Sequence, residues 1–212
     1  MTPQAALFNK ATMSNPPLLA VYKKMLALRE FLIVSANDVM QSTQMLETNP
    51  KSQFWRRVTI RSFAAHVEGL VYLMKTLCLD LQPVLNVSFT GKELDRLREF
   101  SLETNEAGDI VQKPLFLKFL CNFKLAYVCY ARALHSPFKL KFDGGYDCFR
   151  EMVKIRDRLM HPKSPADLEV CDEEITNVSK AWAWYQRQTA LLMEDTKTAF
   201  QEYEKRISVK PL

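Results

Sequence analysis

Glycine is scarce in this 212-residue chain, with only five residues. Glycine supplies the left-handed backbone of tight turns, so a chain this poor in it argues against a many-stranded sandwich and favours long helices. Cysteine is present five times (Cys78, Cys121, Cys129, Cys148, Cys171), but the number is odd and no CxxC pair occurs. That pattern argues against a zinc ribbon or a thioredoxin-like site. With mostly apolar neighbours, these thiols read as reduced groups of a cytoplasmic protein. Long hydrophobic runs are missing as well. Even FLCNFKLAYVCYARAL is interrupted by Lys124 and Arg132, so no membrane span is expected. The opening stretch MTPQAALFNKATMSNPPLLA has neither the charged start nor the apolar core of a signal peptide. Nor does the chain carry GxGxxG, a Walker loop, HExxH or a GxSxG elbow. No cofactor and no metal site is expected.

What is present is ordinary for a globular protein: 48% hydrophobic and 25% charged residues, with a net charge of +5. The mild basicity suits a polyanionic partner and equally an unremarkable basic surface. Residues 1–16, with Asn15-Pro16-Pro17, read as a loose arm, and the whole chain, 1–212, as a single domain. From Pro17, Leu18, Val21, Tyr22, Met25, Leu28 and Leu32 recur at helical spacing until Asn49-Pro50 breaks the pattern. A second helix is predicted over 52–81, ending before Pro83. It is apolar nearly all round, as suits the centre of a bundle. One polar stripe survives on it. Arg57, Arg61, Glu68 and Lys75 point almost the same way at about 100° per residue, either as an ion-paired edge or as the wall of a site.

Thr90 with Glu93 three residues on predicts a capped short helix, followed by a polar loop over 101–113. A third long helix is predicted from Pro114 to before Pro137. KLKFDGG alternates like a strand or an extended connection, and Gly144-Gly145 turn into the next helix. Asp172 is placed to cap a last helix running to about Arg206, striped by Ile175, Val178, Trp182, Tyr185, Leu192, Ala199 and Tyr203. Trp182, Trp184 and Tyr185 are candidates for stacking on bases, although helical spacing puts the first and third on its core side. The expected architecture is an all-α bundle of about five or six helices.

The most informative stretch is YDCFREMVKIRDRLMHPK, 146–163. On a wheel of about 100° per residue, Cys148, Phe149, Met152, Val153, Ile155, Leu159 and Met160 form one apolar arc. Arg150, Glu151, Lys154, Asp157 and Arg158 face the other way. Arg156 alone among the charges falls near the middle of the arc. Such an arginine requires a buried acid, for which Glu68 is a candidate, a stem that snorkels past Met160, or an anion that it awaits in a cleft. His161 precedes Pro162, which disfavours helical backbone at the histidine and ends the helix there. At a helix C-terminus the protonated imidazole is favoured, which suits proton transfer, and Asp157 lies one turn back to orient it. His66 and His135 have less site-like settings.

The run Arg156-Asp157-Arg158-Leu159-Met160-His161, closing a helix and followed by Pro162-Lys163, resembles the HEPN (higher eukaryotes and prokaryotes nucleotide-binding) superfamily. The pattern there is Arg, four to six intervening residues beginning with a polar one, then His. RSFAAHVEGL is similar to the second helix of that family. The resemblance implies a HEPN-like up-and-down bundle and metal-independent cleavage of RNA at a site shared across a homodimer. It implies catalytic roles for Arg156, Asp157 and His161, and a supporting one for Glu68. Arg158, Lys163 and Arg61 are candidates for contacting substrate phosphates. It further implies a toxin or host-defence effector with a cognate antitoxin or defence-system partner. The alternative is a non-catalytic dimerisation or RNA-binding module in which Arg156 is an interface ion pair. A basic, solvent-reachable cleft at Arg156 fits the nuclease; burial against Glu68 fits the module.

Overall fold

A computed structural model describes residues 16–209. The chain forms an all-α bundle, as its hydrophobic periodicity requires, with one small hairpin attached. The long helices are α1 (Pro16–Thr48) and α2 (Gln53–Leu85), then α4 (Phe119–Ala133), α5 (Gly144–Met160) and α6 (Asp172–Val209). The short α3 (Gly91–Arg98) precedes strands β1 (Phe100–Thr104) and β2 (Ile110–Pro114), and a 3₁₀ turn spans Pro165–Leu168. The expected arm lies outside the described residues, except that Pro16 already opens α1. Among the described residues no helix is long and apolar enough to cross a membrane.

Helix α2 is the hub. It lies against α1 along most of its length and also meets α3, α4, α5 and α6, while α5 and α6 pack on each other. Its residues Ile60, Val67, Leu70, Met74 and Leu81 are fully buried. From the facing helices, an aromatic cluster fills the space between. Phe149 of α5 lies 4.8 Å from Phe123 of α4 and 5.3 Å from Trp184 of α6, centroid to centroid. Trp184 is buried and therefore does not present a face for stacking on bases. Helix α6 buries more than the single stripe read from its sequence, because α5 covers a second side of it.

Three boundaries differ from expectation for local reasons. Helix α2 continues through Pro83 to Leu85. A proline this near the end costs one ladder bond, and Asn86 closes the helix in the left-handed conformation (φ 53°) with its N–H donating to the Gln82 carbonyl. Residues 101–113 are largely a hairpin and not a loop. Phe100 pairs with Pro114 and Thr104 with Ile110, around a turn in which Asn105 Oδ1 accepts from the Ala107 and Asp109 N–H groups. Consequently α4 begins at Phe119 and not at Pro114. The stretch 139–143, which alternates in sequence, is an extended connection. Thr90 caps α3 with a full capping box to Glu93, as its spacing predicts.

Gly145 sets the approach of α5 to α6. A Cβ there would lie 2.7 Å from Trp184 Cβ, an atom that no rotamer change moves, and 2.8 Å from its Cγ. Gly145→Ala is therefore expected to destabilise the fold by about 1–3 kcal/mol, against the usual helix gain for alanine. Urea unfolding monitored by circular dichroism checks this.

Candidate functional site

The polar stripe of α2 runs from the half-buried Arg57 through the exposed Arg61 and Glu68 to the buried Lys75, and each of its four members is engaged. Arg57 Nη1 donates to the Leu168 carbonyl (3.1 Å) and Arg61 Nη2 to that of Leu159 (3.0 Å). Glu68 accepts from Arg156 Nη2. Lys75, only 1% exposed, donates from Nζ to Glu99 Oε1 and Asn122 Oδ1, both at 2.8 Å. A buried ammonium is stable only with such partners, so Lys75 fastens the base of the hairpin and the first turn of α4 to α2. A further cation of α2, Arg56, lies outside the stripe read from sequence. It is buried, donates to the carbonyls of Pro50 and Val170, and pairs with Asp172. It thereby ties the α1–α2 turn to the start of α6.

Arg156 leaves the apolar arc of α5 to reach this stripe. Its side chain is 20% exposed. Nη2 bonds Glu68, Nη1 bonds Asp157 Oδ1 at 2.8 Å, and the guanidinium lies 5.7 Å from the Phe119 ring centroid. Of the readings open from sequence, pairing with Glu68 is the one observed. Met160, counted on the apolar arc, is half exposed. Arg156, Glu68, Tyr72, Glu99, Phe119 and Asn122 line an open groove of about 340 Å³. Its lining sets Glu68 and Glu99 against Arg156, and Glu99 is also paired with the buried Lys75 behind it. The groove is reachable by solvent but it is not basic.

His161 caps α5 with φ −129° and ψ 55°, the non-helical backbone that Pro162 demands. Its N–H donates to the Asp157 carbonyl (3.1 Å), and Arg61 takes the Leu159 carbonyl, so the orphan acceptors of the helix end are partly satisfied. The residue is exposed, and its imidazole has no hydrogen-bond partner among the described residues. Asp157 does not orient that ring, because its carboxylate is turned to Arg156. His161 does not line the groove that holds Arg156.

The three cations expected to contact phosphate are placed differently from one another. Arg158 is not on the solvent side. It donates to the carbonyls of Asp167 (3.1 Å) and Glu169 (2.7 Å) and pairs with Glu174 (2.6 Å). Arg61 is held at Leu159, as above. Lys163 donates its backbone N–H to Asp167 Oδ2 (2.8 Å) and is exposed. Arg57 and Arg158 hold the segment after α5 in place by its backbone oxygens, and Arg61 holds the last turn of α5 in the same way. No residue pattern marks that role in the sequence, since the acceptors are carbonyls. Among the described residues no three His, Cys, Asp or Glu side chains converge as a metal-binding group.

His66 is a core residue. It is 3% exposed, its Nδ1 lies 2.7 Å from Ser35 Oγ, and Trp182 and Tyr185 meet it edge-on. Burial lowers its pKa from 6.5 to about 4. The unfolded chain then binds a proton that the folded chain refuses, so this contribution to stability is whole above about pH 6.5 and lost progressively toward pH 4. Urea unfolding across that range is expected to show about 2–3 kcal/mol less stability at pH ~4.5 from this group. His66→Gln is expected to flatten that part of the profile.

No protein-family model, curated protein or solved structure matches the chain.

Proposed function

We propose that the chain is one half-site of a HEPN-type, metal-independent endoribonuclease, completed by a second copy. The observation that carries this reading is the state of His161. It is an unengaged, exposed imidazole held at a fixed helix end by Pro162 and by the Arg61 clamp, five residues beyond a half-buried arginine. In the reaction His161 takes the proton of a ribose 2′-OH, or returns one to the leaving 5′-oxygen. The 2′-oxygen attacks phosphorus, the P–O5′ bond breaks, and a 2′,3′-cyclic phosphate and a 5′-hydroxyl remain. Arg156 stabilises charge on the phosphoryl oxygens. Because Glu68 and Asp157 already neutralise that guanidinium, a phosphate must compete with them, and a single groove is a poor anion site. That balance favours a composite site in which the partner copy adds its own His161 and Arg156.

A second reading rests on the same ion pair. Arg156 held by Glu68 and Asp157 also describes a non-catalytic helical module with an RNA or protein partner, such as an antitoxin or another defence component. The two separate cleanly. The nuclease reading predicts RNA cleavage in excess EDTA with cyclic-phosphate ends. It also predicts that His161→Ala lowers the rate by at least about a hundredfold. The circular dichroism spectrum and melting temperature of the variant should match those of the wild type, since the ring is exposed. Cleavage undiminished in the variant contradicts the mechanism, and absence of cleavage in the wild-type protein leaves the module.

A further inference from the structure

Helix α4 turns one face away from the bundle. Lys124, Val128 and Arg132 recur every fourth residue along it, and the connection 134–143 stands opposite. Between them runs a groove of about 690 Å³, a volume usual for ligand sites. Lys124, Arg132 and Lys139 line it together with the rings of Phe138 and Phe142, and among the described residues no carboxylate does. Arg132 is partly answered at one end by Glu93 (2.8 Å), and its guanidinium lies 4.8 Å from the Phe89 centroid. Lys124 and Lys139 have no carboxylate partner among the described residues.

The groove is built rather than incidental. Lys124 Nζ sits 5.0 Å from the ring centroids of both Phe142 and Tyr146, which fixes its position between two π faces. Phe142 is 63% exposed although the backbone beside it is held on the buried core. The Lys141 N–H donates to Gln188 Oε1 and the Lys141 carbonyl accepts from Trp184 Nε1, both at 3.1 Å. At the other end His135 takes the left-handed conformation (φ 53°), and the Ser136 N–H closes α4 on the Ala131 carbonyl (2.9 Å). A rigidly presented aromatic ring beside unanswered cations loses little freedom when a ligand covers it.

We infer that this groove binds single-stranded nucleic acid, with backbone phosphates on Lys124 and Lys139 and a base stacked on Phe142. Stacking requires an unpaired base, whose faces are open; in a duplex they are covered by neighbouring pairs. The site contains none of Arg156, Asp157 and His161 and does not depend on the nuclease reading.

Fluorescence anisotropy with a short labelled single-stranded RNA tests it, using the full chain carrying His161→Ala so that the probe survives. Binding is expected to weaken with salt. Phe142→Ala should weaken it about ten- to a hundredfold at an unchanged salt slope. Lys124→Gln with Lys139→Gln should weaken it and reduce the log–log salt slope by about 1.4, at about 0.7 for each cation lost. Lys51→Gln, an exposed lysine elsewhere, should leave affinity nearly intact. The inference is overturned if the groove variants bind as the parent does, or if Lys51→Gln is as damaging as they are. Preference for a duplex, or displacement by a mononucleotide at concentrations equal to the oligonucleotide, also overturns it. Strand binding without cleavage in the wild type removes the nuclease and keeps the groove; cleavage with unaltered binding by the groove variants does the reverse.

Discussion

Helix α2 must lie at the centre of the bundle and yet carries charged residues along one line, and the fold depends on how those charges are met. Arg57, Arg61, Glu68 and Lys75 each find a partner on a neighbouring element: the 3₁₀ turn, the last turn of α5, Arg156 of that same helix, and the hairpin base with α4. Unmet, the buried Lys75 would carry a desolvation cost comparable to a large share of a domain's net stability, whereas Arg61 and Glu68 keep contact with water. Met, they fix the register of α5 against α2 and hold the segment after Met160 by its carbonyls. The stripe is a seam, and it decides where the histidine stands.

The Arg-to-His run therefore has two physical characters. Arg156 belongs to the seam, half-buried over Phe119 and paired, with its freedom to meet another anion limited by Glu68. His161 belongs to the surface, released from helical backbone by Pro162. The two lie on one short piece of chain but do not share the groove within one copy. A proton-transfer group and a charge-stabilising group so separated become one site only when something else joins them, which is why the proposed activity requires a second copy.

The helices were legible because their signals are local. Apolar spacing located α1, α2 and α6, Thr90 with Glu93 located α3, and Pro162 located the end of α5. The Glu68 partner for Arg156 was legible too, since an arginine on an apolar arc demands an acid and α2 offers one on its polar stripe. The hairpin was not, because its strands are exposed on both faces (Leu102 and Ile110 project into solvent) and so lack a period-2 pattern. Nor were the roles of Arg56 and Arg158, whose acceptors are mainly backbone carbonyls that every sequence contains. Trp184 was misplaced because helix periodicity finds the stripe facing one neighbour, and α6 has more than one.

A double-mutant cycle on Glu68→Gln and Arg156→Met, followed by urea unfolding, bears most directly on the seam. Partners exposed to the degree of this pair should couple by about 1 kcal/mol, decreasing with salt, so that the second substitution costs little once the first is made. Strictly additive effects, within about 0.3 kcal/mol, would contradict the account and leave Arg156 free for another partner.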